Sequence, residues 1–460
     1  MNYIQKGRKA WLFLCMGTLA LWACDDKENT GGYDPGSPVE ITEFSPTEGG
    51  AKTRLYITGK NFGTDPSRIF VKIGGLPSKV IGSDGQIIYC LVPGGAMEGT
   101  VEVAVGDTTR YVQAVEKFNY IKKPQVSTLC GYVDEYGKSE AKDGSFDECG
   151  FVGPRWMVVD PKDQNILYMV DGIPGKTIRK LDLKNRMTST LITAGQGNWN
   201  EIRQISFTAS GDTLLVANEQ DADNAAAVSI LLRENNFMAP QNITYCRKNN
   251  STATHPINGE LYYNSRTTGE LFRYDWATKQ SKRMFVVQGS GSQYFIFFHP
   301  EGHYAYICVP TKKVIMKAEY DFDKKELLTP TIFCGKLNVG GTANYADGMG
   351  TNAILGNPMQ GEFVLNEKYV EEGLEDVYDF YFCDQQGHSV RILSPDGNVT
   401  TYAGRGSKGL NDDPDGYVDG DLLEEARFYE PQGMTYDAVN KIFYICEARN
   451  LRVRVIKTEE

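Results

Sequence analysis

Planar polar side chains recur along the last three quarters of the sequence, each one residue before a predicted strand: Arg155, Arg203, Asn250, Gln293, Gln360 and Gln432. Trp156, Gln204 and Tyr294 lie directly beside members of this set, and Trp199 lies in a loop that leads to one of them. Amides and guanidinium groups form bidentate hydrogen bonds to neighbouring hydroxyls, and aromatic rings pack against the C–H face of a sugar. If the fold brings these ten residues together, we expect them to bind a carbohydrate. The alternative is that they satisfy one another and ordered water inside the protein.

The acidic segment 411–421 is a weaker candidate, for calcium. Asp413, Asp415, Asp419 and Asp421 provide oxygen ligands at alternate positions, as this ion requires. Leu422, however, stands where a bidentate glutamate would complete the site. The favoured interpretation is a solvated loop whose carboxylates cap turns, and no other cofactor is predicted.

A carboxylate and an arginine seven or eight residues apart recur in three places: Asp171 with Arg179, Asp384 with Arg391, and Glu447 with Arg454. Their recurrence in separate units indicates structural ion pairs rather than catalytic acids. No catalytic residue is predicted.

A repeat must position these residues. Its clearest element is a short apolar strand, at 167–171, 214–218, 261–265, 305–309, 380–384 and 443–447. The spacing is close to the ~45 residues of a four-stranded blade, apart from two insertions, and six such units predict a six-bladed β-propeller over 121–460. The last blade is one strand short, and residues 125–131 mimic 398–404. We therefore expect strand 125–131 to pair with the last blade and to close the ring.

Several units share further features: an Asp-Gly turn before the blade, a proline that opens its first strand, and an arginine in its third strand. This pattern resembles NHL repeats, most clearly in blades one, five and six. In such rings the loops into the first strand and between the second and third strands surround one mouth of the channel, and the ten residues above project onto that mouth.

Residues 38–120 show short alternating strands separated by Gly, Pro, Asn and Asp turns, a pattern typical of a small immunoglobulin-like sandwich. The segments 45–50, 55–63 and 92–94, with the element Gly59-Lys60-Asn61-Phe62-Gly63, resemble the IPT/TIG family. The resemblance implies a spacer or interaction module. The predicted fold class is therefore all-β: an N-terminal immunoglobulin-like (IPT/TIG) sandwich followed by a six-bladed β-propeller.

Residues 1–23 have the basic start and short apolar run of an export signal. The run ends in a sequence that resembles a bacterial lipobox, so Cys24 is predicted to be lipidated, with 24–37 as a flexible tether. The acidic residues after Cys24 resemble the surface-export signal of Bacteroidetes-type lipoproteins. This predicts a lipid anchor in the outer membrane, with the protein facing the cell exterior. The alternatives are ordinary signal cleavage and a solvated charge run facing the periplasm.

Ten cysteines in an exported chain invite disulfides. Cys15 lies in the leader and Cys24 is predicted to carry the lipid. In the repeat alignment six of the others occupy positions held elsewhere by alanine or valine, so we predict free, buried thiols that pack as small apolar groups; these six are Cys130, Cys149, Cys308, Cys334, Cys383 and Cys446.

The net charge of −11 and the lack of a basic stripe argue against a nucleic-acid partner. We predict a non-catalytic cell-surface lipoprotein that binds a carbohydrate or a partner protein at the channel mouth, within a glycan or nutrient uptake system. Its partners would be the carbohydrate or membrane-associated uptake proteins. The alternatives are a metal-dependent, lactonase-like propeller hydrolase or lyase acting on a saccharide, and a pure protein–protein scaffold.

Overall fold

The computed structural model describes residues 32–341, 345–405 and 414–459. The export signal, Cys24, the first part of the tether and Asp413 lie outside these ranges. The chain forms two compact units, divided between residues 122 and 123. Within the described ranges, no helix has the length and apolar character to cross a bilayer.

The first unit is an antiparallel β-sandwich whose strands run in the order β1-β3-β6-β5-β4-β7-β8, with a small parallel pair of β2 and β9. Its strands are β1 (Glu40–Ser45), β2 (Glu48–Gly49), β3 (Arg54–Lys60), β4 (Ile69–Ile73), β5 (Leu76–Ser83), β6 (Ile87–Leu91), β7 (Thr100–Val105), β8 (Val112–Lys117) and β9 (Asn119–Tyr120). Alternate residues such as Leu55 and Ile57 of β3 are fully buried in its core.

The Gly-Lys-Asn-Phe-Gly element of this unit has a steric explanation. A Cβ atom at Gly59 would lie 2.0 Å from the carbonyl oxygen of Glu40, so only glycine fits beside that strand. Asn61 has a left-handed backbone (φ 60°), and its side-chain amide donates to the carbonyl oxygens of Asp34 and Ser37. Phe62 is fully buried below it.

The second unit is a ring of six antiparallel blades. In each blade the main strands follow one another from the axis outwards, and in blades 1, 5 and 6 strands that come earlier in the chain are added at the outer edge. The unit begins with β10 (Pro124–Cys130), and blade 1 contains β11 (Gly144–Ser145), β12 (Trp156–Asp160), β13 (Asp163–Asp171), β14 (Thr177–Asp182) and β15 (Met187–Thr193). Blade 2 contains β16 (Ile202–Phe207), β17 (Thr213–Asn218), β18 (Ala226–Leu232) and β19 (Gln241–Tyr245). Blade 3 contains β20 (Thr252–Thr254), β21 (Leu261–Ser265), β22 (Glu270–Asp275) and β23 (Gln280–Val286). The prediction of an all-β chain with a six-bladed propeller is confirmed.

Blade 4 contains β24 (Phe295–Phe298), β25 (Tyr304–Val309), β26 (Val314–Asp321), β27 (Glu326–Leu327) and β28 (Thr331–Cys334). Blade 5 contains β29 (Gly348–Met349), β30 (Pro358–Leu365), β31 (Tyr378–Asp384), β32 (Ser389–Leu393) and β33 (Asn398–Gly404). Blade 6 contains β34 (Gly420–Asp421), β35 (Pro431–Asp437), β36 (Ile442–Glu447) and β37 (Arg452–Thr458). Two short helices, α1 (Ala194–Gly197) and α2 (Glu367–Glu372), and four 3₁₀ turns complete the described structure.

Strand β10 is the outer strand of blade 6, although it comes first in this unit. It pairs antiparallel with β37, from Pro124 opposite Thr458 to Cys130 opposite Val453. Both chain ends of the unit thus lie in one sheet, and the edge that β37 would otherwise expose is covered.

Blades 1, 5 and 6 each contain a buried arginine that binds two carboxylates. Arg179 lies 3.2 Å from Asp171 and 2.7 Å from Asp143, which precedes the glycine of the Asp-Gly turn. Arg391 and Arg454 form the corresponding pairs with Asp384 and Glu447, at 3.3 and 2.8 Å. The three predicted ion pairs are confirmed. Each arginine also donates to two backbone carbonyls, so it fastens the loop that enters its blade to the third strand.

The eight cysteines of the described residues are free, and all except Cys246 are fully buried. Burial raises the pKa of the Cys90 thiol to about 11 and that of Cys246 to about 12. The prediction of free, buried thiols is confirmed for this part of the chain, apart from the partly buried Cys246. Cys149 departs from apolar packing, because a hydrogen bond with Cys130 lowers its pKa to about 6.

Candidate functional site

A cavity of about 400 Å³ lies on the axis of the propeller. Its wall contains residues from the first strand of every blade, namely β12, β16, β20, β24, β30 and β35. It opens towards the loops that join the first and second strands, since Pro161, Ala209, Pro256 and Pro300 of those loops line it. The sequence analysis projected its ten residues onto the opposite mouth, whereas this cavity lies towards the other end of the channel. Of the ten, Trp156, Gln204 and Gln360 line its inner part.

Trp156 forms the floor of this cavity. Its ring is 2% exposed and lies 4.7 Å from the ring of Phe295 and 6.0 Å from that of Phe297, between ring centroids. Trp156 belongs to blade 1, whereas both phenylalanines belong to blade 4, on the far side of the ring. The indole therefore crosses the axis, and these apolar contacts close the channel below the cavity.

Gln204 and Gln360 also line the lower part of the cavity, but their amides are bound to backbone. The Gln360 amide nitrogen donates to the carbonyl of Met157 at 2.6 Å, and its oxygen accepts from the backbone amides of Met157 and Met434 at 3.1 and 3.2 Å. Gln204 makes the equivalent pair of bonds with Thr252 of the next blade, at 3.0 and 3.1 Å. Both glutamines hold neighbouring inner strands together, and their predicted role in ligand binding stays a prediction.

The walls of the cavity combine aromatic rings with hydroxyl groups. The rings belong to Phe207, Phe297, Phe298, Phe363 and Tyr436, which are partly exposed. The hydroxyls belong to Ser206, Thr208, Thr252, Thr254 and Thr435. Such a wall offers flat apolar faces together with hydrogen-bonding groups, the combination that ligand pockets for small polar molecules use.

Glu362 of β30 is the one charged side chain among the described residues that line the cavity. It is partly exposed, and its carboxyl group has a hydrogen bond with the Thr435 side chain. Burial raises the pKa of Glu362 to about 8, against a smaller opposing effect of that hydrogen bond. The carboxyl is consequently protonated in most molecules at neutral pH.

Sequence reasoning missed Glu362, although the repeat contained a signal for it. Each first strand has one residue that pairs with the same position of its blade's second strand, so these six residues lie at one level along the channel axis. They are Val158, Ser206, Thr254, Phe297, Glu362 and Thr435. This level lies about three residues beyond the level that the sequence analysis selected. Read across the six repeats, a single glutamate among apolar and hydroxyl residues marks this level.

Arg155, Arg203 and Asn250 lie at the opposite end of the channel, in a network with two glutamates. Glu201 accepts from Arg155 at 2.7 Å and from Arg203 at 3.0 Å. Glu219 accepts from the Asn250 amide at 2.6 Å and lies 3.4 Å from Arg203. Burial tends to raise the pKa of Glu201, but the two arginines outweigh it and hold the pKa below its usual value. The two arginine side chains and the Asn250 amide nitrogen thus bind glutamates of the same protein, whereas the side-chain oxygen of Asn250 is buried without a hydrogen-bond partner.

The remaining predicted residues do not form an exposed aromatic platform, which corrects that expectation. Trp199 is buried and its indole N–H donates to the Ser229 hydroxyl at 2.8 Å. Tyr294 is fully buried, because its ring packs in the core between blades 3 and 4. Gln293 is partly exposed and lies just before β24, whereas Gln432 is buried and is the second residue of β35. Ligand binding by Gln293 and Gln432 stays a prediction.

The acidic segment is used for structure in its described part. Asp419 lies 2.6 Å from Arg454, and Asp421 accepts from the backbone amides of Leu423 and Glu424. Nowhere in the described ranges do three His, Cys, Asp or Glu side chains come together as a group that could hold a metal. Asp415 is described and belongs to no such group, whereas Asp413 lies outside those ranges.

Comparison with known proteins gives the following matches. Residues 38–120 match the IPT/TIG domain. An auxiliary nutrient binding protein from Bacteroides thetaiotaomicron is 41% identical, with a TM-score of 0.87 over 94% of this chain and 100% of that one. A second, from Bacteroides ovatus, is 36% identical, with a TM-score of 0.71 over 93% and 100%. A protein from B. thetaiotaomicron described as a putative phosphatase is 36% identical, with a TM-score of 0.83 over 94% and 99%. No functionally curated protein matches the chain.

Proposed function

The chain belongs to the family of the Bacteroides auxiliary nutrient binding proteins, and from this premise we propose that it binds a carbohydrate nutrient in the channel cavity without turning it over. The observation that carries this proposal is the cavity itself, with aromatic faces and hydroxyls from all six blades above a closed floor. Its volume of about 400 Å³ accommodates one or two sugar units at the end of a chain.

Binding is favoured over turnover by the chemistry of the cavity wall. Hydrolysis of a glycosidic bond uses a pair of carboxyl groups, one on each side of the bond. Glu362 is the single carboxyl group among the described lining residues. An aromatic wall with one acid suits recognition of a sugar ring, whereas it lacks the second acid or base that the reaction requires.

Calorimetry with a panel of neutral, acidic and amino saccharides tests this proposal, using a chain that starts at residue 25. Tyr436→Ala removes a wall ring and Ser206→Phe fills part of the cavity, and each is expected to weaken binding about tenfold or more. Tyr136→Ala, at a side chain 77% exposed on the same unit, is the matched control and is expected to bind normally. Absence of binding to every saccharide, or wild-type affinity in both cavity variants, overturns the proposal. Appearance of a cleaved product in the same samples would favour the hydrolase or lyase.

We also propose that the protein is held on the outer membrane by a lipid on Cys24 and faces the cell exterior. The sequence features that support this are the short apolar run that ends at Cys24 and the acidic residues that follow it. Cys24→Ala is expected to abolish incorporation of a labelled fatty acid and to release the protein from membranes. External protease on intact cells is expected to remove the protein, and its survival there would refute the exposed orientation.

A further inference from the structure

We propose that the ligand of the channel cavity carries an ammonium group that pairs with Glu362, so that the preferred saccharide unit is an amino sugar with a free amine. This inference rests on the proposed function, because it assigns the ligand class of the same cavity.

The charge of the cavity is the first feature that favours an ammonium ligand. Glu362 is one of 24 described lining residues, and the other 23 carry no charged side chain. Several other buried carboxylates of the propeller have an arginine partner, such as Asp160 with Arg233 at 2.7 Å and Glu447 with Arg454 at 2.8 Å. Glu362 has the hydroxyl of Thr435 instead. A carboxyl group with no cationic partner among the described residues, at the edge of a space for a ligand, favours a ligand that brings the cation.

Aromatic rings surround that carboxyl group. Phe297, Phe363 and Tyr436 line the cavity together with Glu362, and Trp156 lies beneath them. An ammonium group is attracted by the faces of aromatic rings, more strongly where water is excluded. The same rings pack against the C–H face of the sugar that carries the amine.

The charge of the cavity also disfavours some ligands. Uronic acids and phosphorylated or sulfated sugars would bring a negative charge into the cavity, where the described lining residues provide no lysine, arginine or histidine to offset it. A neutral sugar avoids this cost but gains no ion pair with Glu362. An N-acetylated sugar has the same shape at its ring and no charge, which makes it the critical comparison.

Proton release distinguishes the ammonium ligand from a neutral one. Because burial raises the pKa of Glu362 to about 8, the carboxyl holds its proton in most molecules at pH 7. An ammonium ligand displaces that proton, whereas a neutral sugar can accept a hydrogen bond from the protonated acid without displacing it.

Other titratable groups surround the strand that carries Glu362, so the variant must separate their effects. On the elements packed against β30, these groups are Tyr378, Asp379, Tyr381, Cys383 and Asp384 of β31, Tyr436 and Asp437 of β35, and Tyr304, Tyr306 and Cys308 of β25. His299, which pairs with Asp376 at 3.3 Å, lies next to lining residues Phe298 and Pro300. The contribution of these groups is common to the wild type and to a Glu362→Gln variant, and it cancels when the two are compared.

Calorimetry of the chain that starts at residue 25 tests the inference, with glucosamine, N-acetylglucosamine, glucose, glucuronate and ethanolamine as ligands, in two buffers of different ionisation enthalpy. We expect glucosamine to bind about thirtyfold more tightly than N-acetylglucosamine and to release close to one proton at pH 7. Glu362→Gln is expected to remove this preference and the proton release while its affinity for N-acetylglucosamine changes by less than about threefold. Glu367→Gln, at an exposed glutamate of the same blade, is the matched control.

The outcomes separate the two proposals. Equal binding of glucosamine and N-acetylglucosamine, or an unchanged preference in Glu362→Gln, overturns the ammonium inference and leaves carbohydrate binding standing. Equal binding of ethanolamine and glucosamine overturns the assignment to a sugar, because the ring then contributes nothing. Failure of every saccharide to bind, with the cavity variants folded, overturns the proposed function itself.

Discussion

Replacement of Glu362 by glutamine is expected to change how the stability of the propeller depends on pH. The folded state holds the Glu362 proton up to a pKa of about 8, whereas an unfolded glutamate loses its proton near a pKa of about 4.3. Between these values the folded state binds more protons than the unfolded state, so the free energy of unfolding falls as the pH rises. Glutamine does not titrate, and the variant lacks this contribution.

The size of the effect follows from the shift. One pH unit at which only the folded state holds the proton is worth about 1.4 kcal/mol. Integrated over the titration of Glu362, the range from pH 5.5 to 8.5 corresponds to about 2.4 such units. The wild type should therefore lose up to about 3 kcal/mol more than Glu362→Gln across this range. Water in the cavity screens the carboxylate and lowers this value, so we expect a difference of about 1.5 to 3 kcal/mol.

Urea denaturation at pH 5.5, 7.0 and 8.5 measures this difference. In a chain that starts at residue 25, the three tryptophans are Trp156, Trp199 and Trp276, all in the propeller, so their fluorescence reports on that unit alone. Glu367→Gln is the control and should follow the wild type. Parallel stability curves for the wild type and Glu362→Gln would refute the claim that this carboxyl is buried without a cation.

Three further predictions concern the propeller framework. Asp384→Asn removes a buried partner of Arg391 and should lower the free energy of unfolding in urea by about 3 to 5 kcal/mol. The control Lys441→Ala, at an exposed pair, should change it by less than about 1 kcal/mol. Equal effects of the two variants would contradict the structural role of the buried pair. A chain that starts at residue 123 should keep the thermal stability of the propeller. A chain that starts at residue 132 lacks β10 and should aggregate, because the edge of β37 is then exposed. Full stability of this shorter chain would contradict closure of the ring by β10. The third prediction concerns the eight cysteines of the chain that starts at residue 25. An aromatic disulfide reagent should react with fewer than one thiol per molecule in the native state and with all eight in urea. Reaction with fewer than eight thiols in urea would indicate a disulfide.

The sequence predicted the ring because its evidence is repeated. The Asp-Gly turns and third-strand arginines of blades 1, 5 and 6 recur as buried ion pairs, and each copy supports the others. The closing strand was predictable for the same reason, since residues 125–131 resemble the fourth strand of another blade. A repeat carries information about the fold that a single copy does not.

The position of the site along the channel was not predictable in this way. A register error of one to three residues along a first strand moves a side chain from one end of the channel to the middle. Blade 3 illustrates the error. The aligned strands 167–171 and 261–265 match Ser265 with Asp171, but Asn264 is the residue that accepts hydrogen bonds from two backbone amides, as Asp171 does in blade 1. The sequence analysis therefore selected polar residues near the start of each first strand, whereas Glu362 and Thr435 lie two to three residues further along β30 and β35.

The two ends of the channel differ in how their charges are satisfied, and this difference supports the proposed binding site. At one end Arg155, Glu201 and Arg203 form ion pairs with one another. These ion pairs need no ligand, and they join blades 1 and 2 of the ring. At the other end Glu362 has a hydroxyl partner and no cationic partner among the described residues, inside a space that the fold leaves open. A sequence selected only for folding would replace such a carboxyl by an apolar group, so its cost in stability is best explained by a ligand that supplies the missing charge.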